Sequence, residues 1–599
     1  MGGTQAGRVR GVVAVVAAIV LTTASLSVLA SPSHADSTWT SPTSATFLSA
    51  AGQDASEPEV VSSADGTRLA AIWVRSDGTN TRIEATASSN SGATWSTPAL
   101  LSAAGKDATA PQIAMSSDGL TVNAVWVRVN SSNITVVQTS QSTDGGVSWN
   151  APGSTPDLSD LTVDALTPRI AASADGSQVV AVWATDDHAS TQGISSARSS
   201  SGGAVWSGRV DLPSLGTAVE PRVEMSSDGQ TVAAAWLDGD IVRASTSSDG
   251  AANWGSIKQL SENATTSRHL QVAISATGTN IVAIWCEDDS GGNTLIETSN
   301  SVNSGASWLA PTATVALSDT SKEGVEPQVA FSGGTQVTAV WRWKDGSSGV
   351  IQTLTSADGG VTWPAISTAK TLSGASEQAY DAHLDVSANG ALMTVIWYIA
   401  STRTVQASSS SDSGVTWSAT PTDLSVSSGP REPKPRLAAS TDGTKLVAVW
   451  INYATNSRVQ AGLGTNAAPT PTPTPTPSPS GPQTQSVVGG CVKSGGSMPA
   501  SGSKELVAAD CKTTAGQVVG VGVSAAARGD VTYYSLYCKR SNGKTAKTRS
   551  TGYGDGTRYC KSGALRIRTY GYKLRIRVKW TAPATATFAA YKKVKSFNS

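Results

Sequence analysis

The chain has 599 residues, more than one ordinary domain holds, and its 44 basic side chains balance its 44 acidic ones. The balance conceals a split, because residues 486–599 carry 20 Lys and Arg against 4 Asp and Glu, which leaves 24 basic and 40 acidic residues elsewhere. The sequence has no glycine-rich phosphate loop, no nucleophile elbow and only four histidines. It therefore gives no support to nucleotide-dependent or metal-dependent chemistry, and we predict no cofactor and no metal site.

Residues 1–35 have the pattern of a secretory signal peptide. Arg8 and Arg10 precede an apolar stretch at 11–30, and Ser33-His34-Ala35 offers a cleavage site. A stretch of about 20 apolar residues would also suffice for an uncleaved membrane anchor. Cleavage is favoured because small residues and a proline follow at once. We therefore predict a secreted or cell-envelope-associated protein without a transmembrane segment after signal cleavage.

An eight-residue phrase recurs from residue 88 to residue 417, and we call it the tryptophan turn. One full copy is Ser142-Thr-Asp144-Gly-Gly146-Val-Ser148-Trp149. Seven copies end 48 to 57 residues apart, at Trp95, Trp149, Trp206, Trp254, Trp308, Trp363 and Trp417. A fixed period of this size indicates a repeat architecture.

A second series of tryptophans lies upstream of these turns. Each ends a β-rich run that follows an Asp-Gly type of turn, which predicts a hairpin of two short strands. A third strand, the tryptophan turn and a fourth strand complete a four-stranded unit. The series has eight members: Trp73, Trp126, Trp183, Trp236, Trp285, Trp341, Trp397 and Trp450.

The tryptophan turn resembles the Asp-box, S-x-D-x-G-x-T-W, of the bacterial neuraminidase repeat family. In that family the box joins the third and fourth strands of a β-propeller blade, so the resemblance implies an all-β propeller over residues 36–466. There are eight second-strand tryptophans but only seven tryptophan turns, so one unit lacks a fourth strand. Thr38-Trp39 can supply that strand. We predict an eight-bladed propeller closed by its N-terminal strand. Seven blades remain the alternative if the short unit ending at Trp254 merges with a neighbour.

Two further segments follow the propeller. Residues 467–485 form a Pro/Thr-rich linker, since alternating prolines favour an extended spacer. Residues 486–599 are predicted to form a basic, β-sandwich-like domain with two disulfides among Cys491, Cys511, Cys538 and Cys560. Three pairings are open, of which we favour Cys491–Cys511 and Cys538–Cys560. The basic strands suit an anionic envelope polymer as partner, and we predict no nucleic-acid partner.

Polar residues recur at one position of the first strand in every unit. First strands of propellers line the central channel, and in all eight units this polar residue is followed by an apolar one. We predict that the eight side chains surround one channel mouth and bind the ligand: Glu59, Gln112, Arg169, Arg222, Gln271, Gln328, His383 and Arg436. A merely hydrated channel would also favour polar lining, and the sequence leaves that alternative open.

The family resemblance also implies a candidate active site. Sialidases hold the sialate carboxylate with three arginines and use a tyrosine nucleophile with a glutamate, plus an aspartate acid/base. Tyr380 lies near Glu377 and Asp381, and these three are our candidate catalytic residues. Two functions follow: a carbohydrate-binding or protein-binding propeller with an extracellular glycan or protein ligand at its channel mouth, or an exo-acting glycoside hydrolase of sialidase type.

Overall fold

A computed structural model describes residues 36–467 except 188–191, 213, 215–216, 264–265, 289–291, 320–321, 333, 347, 428 and 454–455, and beyond them the backbone of ten strands. The chain divides into two compact units, Met1–Thr470 and Pro471–Ser599. The predicted signal peptide at 1–35 and most of the predicted linker at 467–485 lie outside the described residues.

The first unit is a β-propeller of eight sheets, which we number as blades 1 to 8. Neighbouring strands within a blade are antiparallel. We number the strands of each blade from first to fourth, starting at the channel. Blade 1 comprises Ala55–Ser62, Leu69–Ser76, Thr81–Ser88 and Ala99–Leu100, and blade 2 comprises Ala108–Met115, Val122–Val129 and Thr135–Ser142. Blade 3 comprises Asp164–Ala172, Val179–Asp186, Gln192–Ser199 and Val210–Leu212. Blade 4 comprises Ala218–Met225, Val232–Asp238, Ile241–Ser247 and Lys258–Gln259. In blade 2 a single bridge between Gln138 and Asp157 takes the place of the fourth strand.

Blades 5 to 7 repeat the same order. Blade 5 comprises Ser267–Ile274, Ile281–Asp288, Thr294–Ser301 and Val315–Ala316. Blade 6 comprises Glu323–Ser332, Gln336–Asp345, Ser348–Ser356 and Lys370–Thr371. Blade 7 comprises Ala379–Val386, Met393–Ile399, Thr404–Ser410 and Thr422–Asp423. Blade 8 has Arg436–Ala439, Lys445–Asn452 and Arg458–Thr465 from the end of the propeller sequence. Short 3-10 helices occur at Pro42–Ser44, Pro311–Ala313 and Ile366–Thr368.

Blade 8 is completed by the N-terminal segment. Thr38–Trp39 pairs antiparallel with the third strand of this blade, with Thr38 opposite Thr465 and Trp39 opposite Gly464. Thr46–Phe47 then pairs further along the same strand. The ring closes without leaving that sheet edge unpaired. The prediction of eight blades closed by the N-terminal strand is confirmed, and the seven-bladed alternative is wrong.

The hydrophobic core lies between neighbouring blades. All eight second-strand tryptophans are fully buried. Trp126 of blade 2 packs on Ile72 and Leu101 of blade 1, and Trp73 of blade 1 packs on Val449 of blade 8. A second-strand tryptophan therefore bridges each of these seams, including the one that closes the ring.

The tryptophan turn is held by side-chain hydrogen bonds to its own backbone. In blade 2 the Ser142 hydroxyl donates to Asp144 Oδ1 at 2.8 Å and accepts from the Gly146 N–H at 2.8 Å. Asp144 Oδ1 also accepts from the Ser148 N–H at 2.9 Å. The same pattern recurs in blade 6 around Asp358. Ser and Asp are needed at these positions because they replace backbone partners that the turn cannot supply.

The second unit is described only as strand backbone. Its strands are Gln483–Thr484, Ser501–Ala508, Gly520–Ala527, Tyr534–Lys539, Thr545–Thr548, Gly556–Arg558, Ala564–Tyr570, Leu574–Ala582, Phe588–Ala589 and Tyr591–Asn598. They form two four-stranded antiparallel sheets and one short parallel pair, so both units are all-β as predicted. The side chains of the four predicted disulfide cysteines lie outside the described residues. No helix in the described part of the chain is long and apolar enough to span a bilayer.

Candidate functional site

A β-bulge in the first strand determines which side chain of each blade faces the channel. In blade 1 Ser56 pairs with Val74 and Glu59 pairs with Ile72, so two first-strand residues lie opposite Trp73 alone. The same shift, again opposite the second-strand tryptophan, occurs in blades 2 to 7. Because a bulge bends its strand and redirects side chains, it sets the orientation of the residue that follows it.

The first bulge residue of blades 1 to 7 has a positive φ, as does Lys434, which takes the equivalent position before the first strand of blade 8, and none of the eight is glycine. The φ values lie between 47° and 56° at Glu57, Ala110, Thr167, Glu220, His269, Glu326, Asp381 and Lys434. Such a conformation costs about 1–3 kcal/mol and persists only where the surrounding structure imposes it. The same backbone conformation therefore recurs around the channel, next to each ring residue.

The eight predicted ring residues meet at one cavity. Its volume is about 470 Å³, and all eight contribute to its lining: Glu59, Gln112, Arg169, Arg222, Gln271, Gln328, His383 and Arg436. His269, Glu326 and Asp381 from the strained positions line it as well. The structure thus brings the whole predicted set together, while ligand binding by that set stays a prediction.

The three arginines of the ring share one local arrangement but have different partners. Each guanidinium donates to the carbonyl of its preceding proline, at 2.9 Å for Arg169 and 3.0 Å for Arg222 and Arg436. Arg436 also forms a salt bridge of 3.0 Å with Glu59, across the closing seam. Arg222 Nε donates to Gln271 Oε1 at 3.2 Å. In the described part of the chain, neither Arg169 nor Arg222 forms a salt bridge with a carboxylate.

The pKa values of these groups reflect that difference. Glu59 raises the pKa of Arg436, whereas burial lowers the pKa of Arg169. Burial, together with the charge of Arg169, lowers the pKa of Arg222 to about 9. Burial lowers the pKa of His383 to about 3, so this imidazole is neutral at pH 7. The cavity therefore holds two guanidiniums without a salt bridge: Glu220 is a longer-range counter-charge to both, and Glu59 is one to Arg169.

The candidate catalytic residues do not form one cluster. The Tyr380 hydroxyl donates to Gln378 Oε1 at 3.0 Å, and the Arg342 guanidinium lies 3.9 Å above its ring. Glu377 instead accepts the N–H of Gly374 at 2.8 Å. Only Asp381 of the three lines the cavity. The structure does not bring the Tyr380 hydroxyl to the Glu377 carboxylate, which the nucleophile–base pairing would require.

Asp381 has partners on both neighbouring blades. Its backbone N–H donates to Glu326 Oε2 at 3.0 Å, and its carboxylate lies 3.3 Å from Lys434 Nζ. An equivalent contact joins blades 1 and 2, where Glu57 Oε2 accepts the N–H of Ala110 at 2.8 Å. Carboxylates at strained positions therefore link adjacent blades at the channel rim.

Two carboxylates of the channel wall escaped the sequence analysis. Side chains alternate along a strand, so the residue two positions after each ring residue lies on the same face of its strand. Six blades have Val or Ala there, but blade 4 has Glu224 and blade 7 has Asp385. Glu224 lines the cavity, and burial raises the pKa of Asp385 to about 6. The alternation alone would have revealed both acids.

Cys286 lies behind the cavity wall, with its Sγ 3.7 Å from His269 Nδ1. The thiol is fully buried among apolar residues that include Ile284 and Trp341. Burial raises its pKa to about 12, so it stays protonated and unreactive. Within the described residues, no group of three or more His, Cys, Asp or Glu is placed to hold a metal ion.

Comparison with known proteins finds only distant structural likenesses. No family model and no curated protein matches the chain. Among solved structures, a prolyl endopeptidase is 14% identical with a TM-score of 0.39, covering 67% of this chain and 55% of that one. The NanB sialidase from Streptococcus pneumoniae is 10% identical with a TM-score of 0.36, covering 71% of both chains. The Hadza microbial sialidase Hz136 is 15% identical with a TM-score of 0.32, covering 57% of this chain and 76% of that one.

These likenesses are too distant to indicate an activity. The chain spans about half the length of the prolyl endopeptidase, 55%. What the strand pairing itself establishes is an eight-bladed, all-β propeller with a polar central cavity.

Proposed function

We propose that this protein is an exported Asp-box propeller that binds an acidic ligand, on a glycan or a protein, at the mouth of its channel. One observation carries the proposal: Arg169 and Arg222 face a common cavity and form no salt bridge in the described structure. Charges held away from bulk water are stabilised by a counter-charge. A carboxylate or sulfate group of the ligand supplies that charge, and the ring glutamines supply hydrogen bonds for its hydroxyl groups.

Membership of the Asp-box family is part of this proposal. The hydrogen bonds of Asp144 and Asp358 within their turns support it, because they account for the Ser, Asp and Gly of the repeated phrase. Export rests on the N-terminal sequence. The 20 basic residues of 486–599 support retention at an anionic envelope polymer, and the two disulfides of that domain stay predictions.

The test is calorimetric binding to the mature chain, residues 36–599. Oligogalacturonates and sialosides are compared with neutral galactosides of equal length. We expect only the acidic sugars to bind, and Arg222→Met to weaken them about 10- to 100-fold, because a hydrogen bond to a charged group contributes about 1.5–3 kcal/mol. Arg209→Met is the matched control, since Arg209 pairs with Asp211 at 3.0 Å at the propeller surface and should leave affinity unchanged.

Two outcomes would overturn the proposal. Equal affinity for acidic and neutral sugars, or an effect of Arg209→Met as large as that of Arg222→Met, would remove the role of the channel arginines. Turnover of a fluorogenic sialoside, lost in a folded Arg222→Met variant, would replace binding by the hydrolase alternative. The separation of Tyr380 from Glu377 gives that alternative no geometric support.

A further inference from the structure

Glu224 is an exposed carboxylate inside the channel cavity. Of the eight residues that lie two positions after a ring residue, it alone lines the cavity. Five of the other blades have alanine at this position, so packing does not require an acid there. The corresponding acid of blade 7, Asp385, is occupied, because its Oδ2 accepts the backbone N–H of Ala439 at 2.8 Å. In the described structure Glu224 forms no hydrogen bond or salt bridge of this kind.

Arg222 and Glu224 belong to one regular stretch of the first strand of blade 4. Arg222 pairs with Ala235 and Glu224 pairs with Ala233, with no bulge between them. Two residues of a strand rise about 7 Å and place both side chains on the same face. Arg169, from the neighbouring blade, lines the same cavity. The cavity therefore has two guanidiniums at the level of the ring and a carboxylate about 7 Å further along the channel.

These opposite charges do not pair with each other. In the described structure no salt bridge joins Glu224 to either arginine. The neighbouring charges that shift the pKa of Arg222 do not include that of Glu224. Two other acids of the cavity, Glu59 and Asp381, already have cationic partners on other blades. A ligand that is only anionic would satisfy the arginines but would meet the negative charge of Glu224, which opposes it.

We propose that the ligand is a zwitterion: its acidic group binds Arg169 and Arg222, and a cationic amino group about 7 Å away binds the Glu224 carboxylate. This inference rests on the proposed function and specifies the ligand of the same cavity. An ammonium group suits Glu224 because it donates hydrogen bonds, accepts none and carries the opposite charge. The spacing disfavours α-amino acids, whose two charged groups share one carbon atom. It favours an amine at the far end of a chain or on the next sugar.

The experiment compares ε-aminocaproate with ε-hydroxycaproate by ligand-observed NMR titration of the mature chain at pH 8. At this pH carboxylates are ionised and a primary amine of this kind is protonated. The two probes share the carboxylate and the methylene chain, and only the first has a cation at its far end. We expect ε-aminocaproate to bind about tenfold more tightly, as a hydrogen bond between charged groups predicts.

Two variants separate the two charges of the ligand. Arg222→Met should weaken both probes, because both use their carboxylate at the ring. Glu224→Gln should weaken only ε-aminocaproate, to the affinity of ε-hydroxycaproate. Glu224→Ala, which installs the residue of five other blades, gives the same measurement if the glutamine variant fails to fold. A peptide that ends in lysine and a glucosamine–glucuronate disaccharide then distinguish a protein from a glycan source, and Glu224→Gln should weaken whichever of them binds.

Asp211→Asn is the matched control. Its carboxylate pairs with Arg209 at the propeller surface, so its loss should leave the affinity for both probes unchanged. Equal affinity of the wild type for the two probes, or a preference for the amine that survives both Glu224 variants, would overturn the zwitterion inference alone. Failure of the wild type to bind either probe or any acidic sugar would overturn the proposed function with it.

Discussion

Trp126→Ala should destabilise the propeller far more than removal of any ring arginine. The Trp126 side chain is fully buried at the seam between blades 1 and 2, against Ile72, Ile83 and Leu101. It also lies opposite the bulge that sets the direction of Gln112. Its loss therefore opens a cavity at a blade seam and removes the side chain that supports a strained strand.

The magnitude follows from burial and from hydrogen bonding. A buried tryptophan removes about 150–250 Å² from water, and such truncations cost about 3–5 kcal/mol. The indole N–H has no hydrogen-bond partner among the described residues, so no hydrogen bond is lost with it. Arg222→Met removes contacts only to Gln271 and to the carbonyl of Pro221. Because burial already disfavours the charged guanidinium, that change should cost less than about 1 kcal/mol.

Urea denaturation of the mature chain, followed by far-ultraviolet circular dichroism, measures both variants. We expect a clear fall in the midpoint for Trp126→Ala and a small change of either sign for Arg222→Met. Trp126→Phe, which keeps most of the apolar volume, should lie between them. Equal midpoints for Trp126→Ala and Arg222→Met would refute the view that stability resides at the seams and ligand binding in the channel.

Two further outcomes follow from the structure. Gly464→Val should lower the unfolding midpoint because a Cβ at Gly464 would come within 2.7 Å of the Trp39 ring and displace the closing strand, whereas Gly208→Ala, with no atom within 4 Å of its new Cβ, should not. Burial raises the pKa of Asp385 from 3.8 to about 6, so between these values the folded state keeps a proton that the unfolded state has lost. Stability should therefore fall as the pH rises from about 4 to about 6, and Asp385→Asn should flatten that slope in melting curves recorded across this range.

The sequence was sufficient to predict the propeller because each strand of the blade recurs in every unit, so a weak pattern in one unit is recognised from the others. Two series of tryptophans mark the second and fourth strands, and their unequal numbers located the missing strand at Trp39. An unpaired strand edge is unfavourable. The single N-terminal strand and the three-stranded last unit are therefore expected to pair with each other. The pairing of Trp39 with Gly464 confirms this expectation.

The strained bulges were not predicted, and the reason is physical. Their first residues include Glu57, Thr167 and Glu220, none of which favours a positive φ by itself. In blades 1 to 7 the conformation occurs where two first-strand residues lie opposite a single tryptophan of the neighbouring strand. Sequence patterns report local preference, whereas this feature is a tertiary effect. The periodicity placed Arg169 and Arg222 near the channel, but it could not show whether either arginine forms a salt bridge.

The candidate catalytic set shows the same limit. Sequence proximity joined Tyr380 to Glu377, yet Glu377 lies in the loop before the strand Ala379–Val386 that carries Tyr380. Along that strand, neighbouring residues such as Tyr380 and Asp381 point to opposite faces. Asp381 faces the channel, while the Tyr380 ring packs beneath Arg342 in the neighbouring blade. Proximity in sequence is therefore a poor guide to a shared site on a strand. Glu224, two residues after Arg222, illustrates the spacing that does place side chains on one face.

The residues that pack the blades together differ from the residues that line the cavity. The second-strand tryptophan and the apolar residue after each ring position, such as Val223, fill the seams, so the ring residue itself contributes little to packing. Its identity can then change from blade to blade without altering the fold, and within this one chain it is Glu, Gln, Arg or His. A ring with eight independent positions can be matched to an asymmetric ligand. In this chain the arginines of blades 3 and 4 and the acid of blade 4 make one side of the channel chemically distinct, and that side is where we expect the ligand to be held.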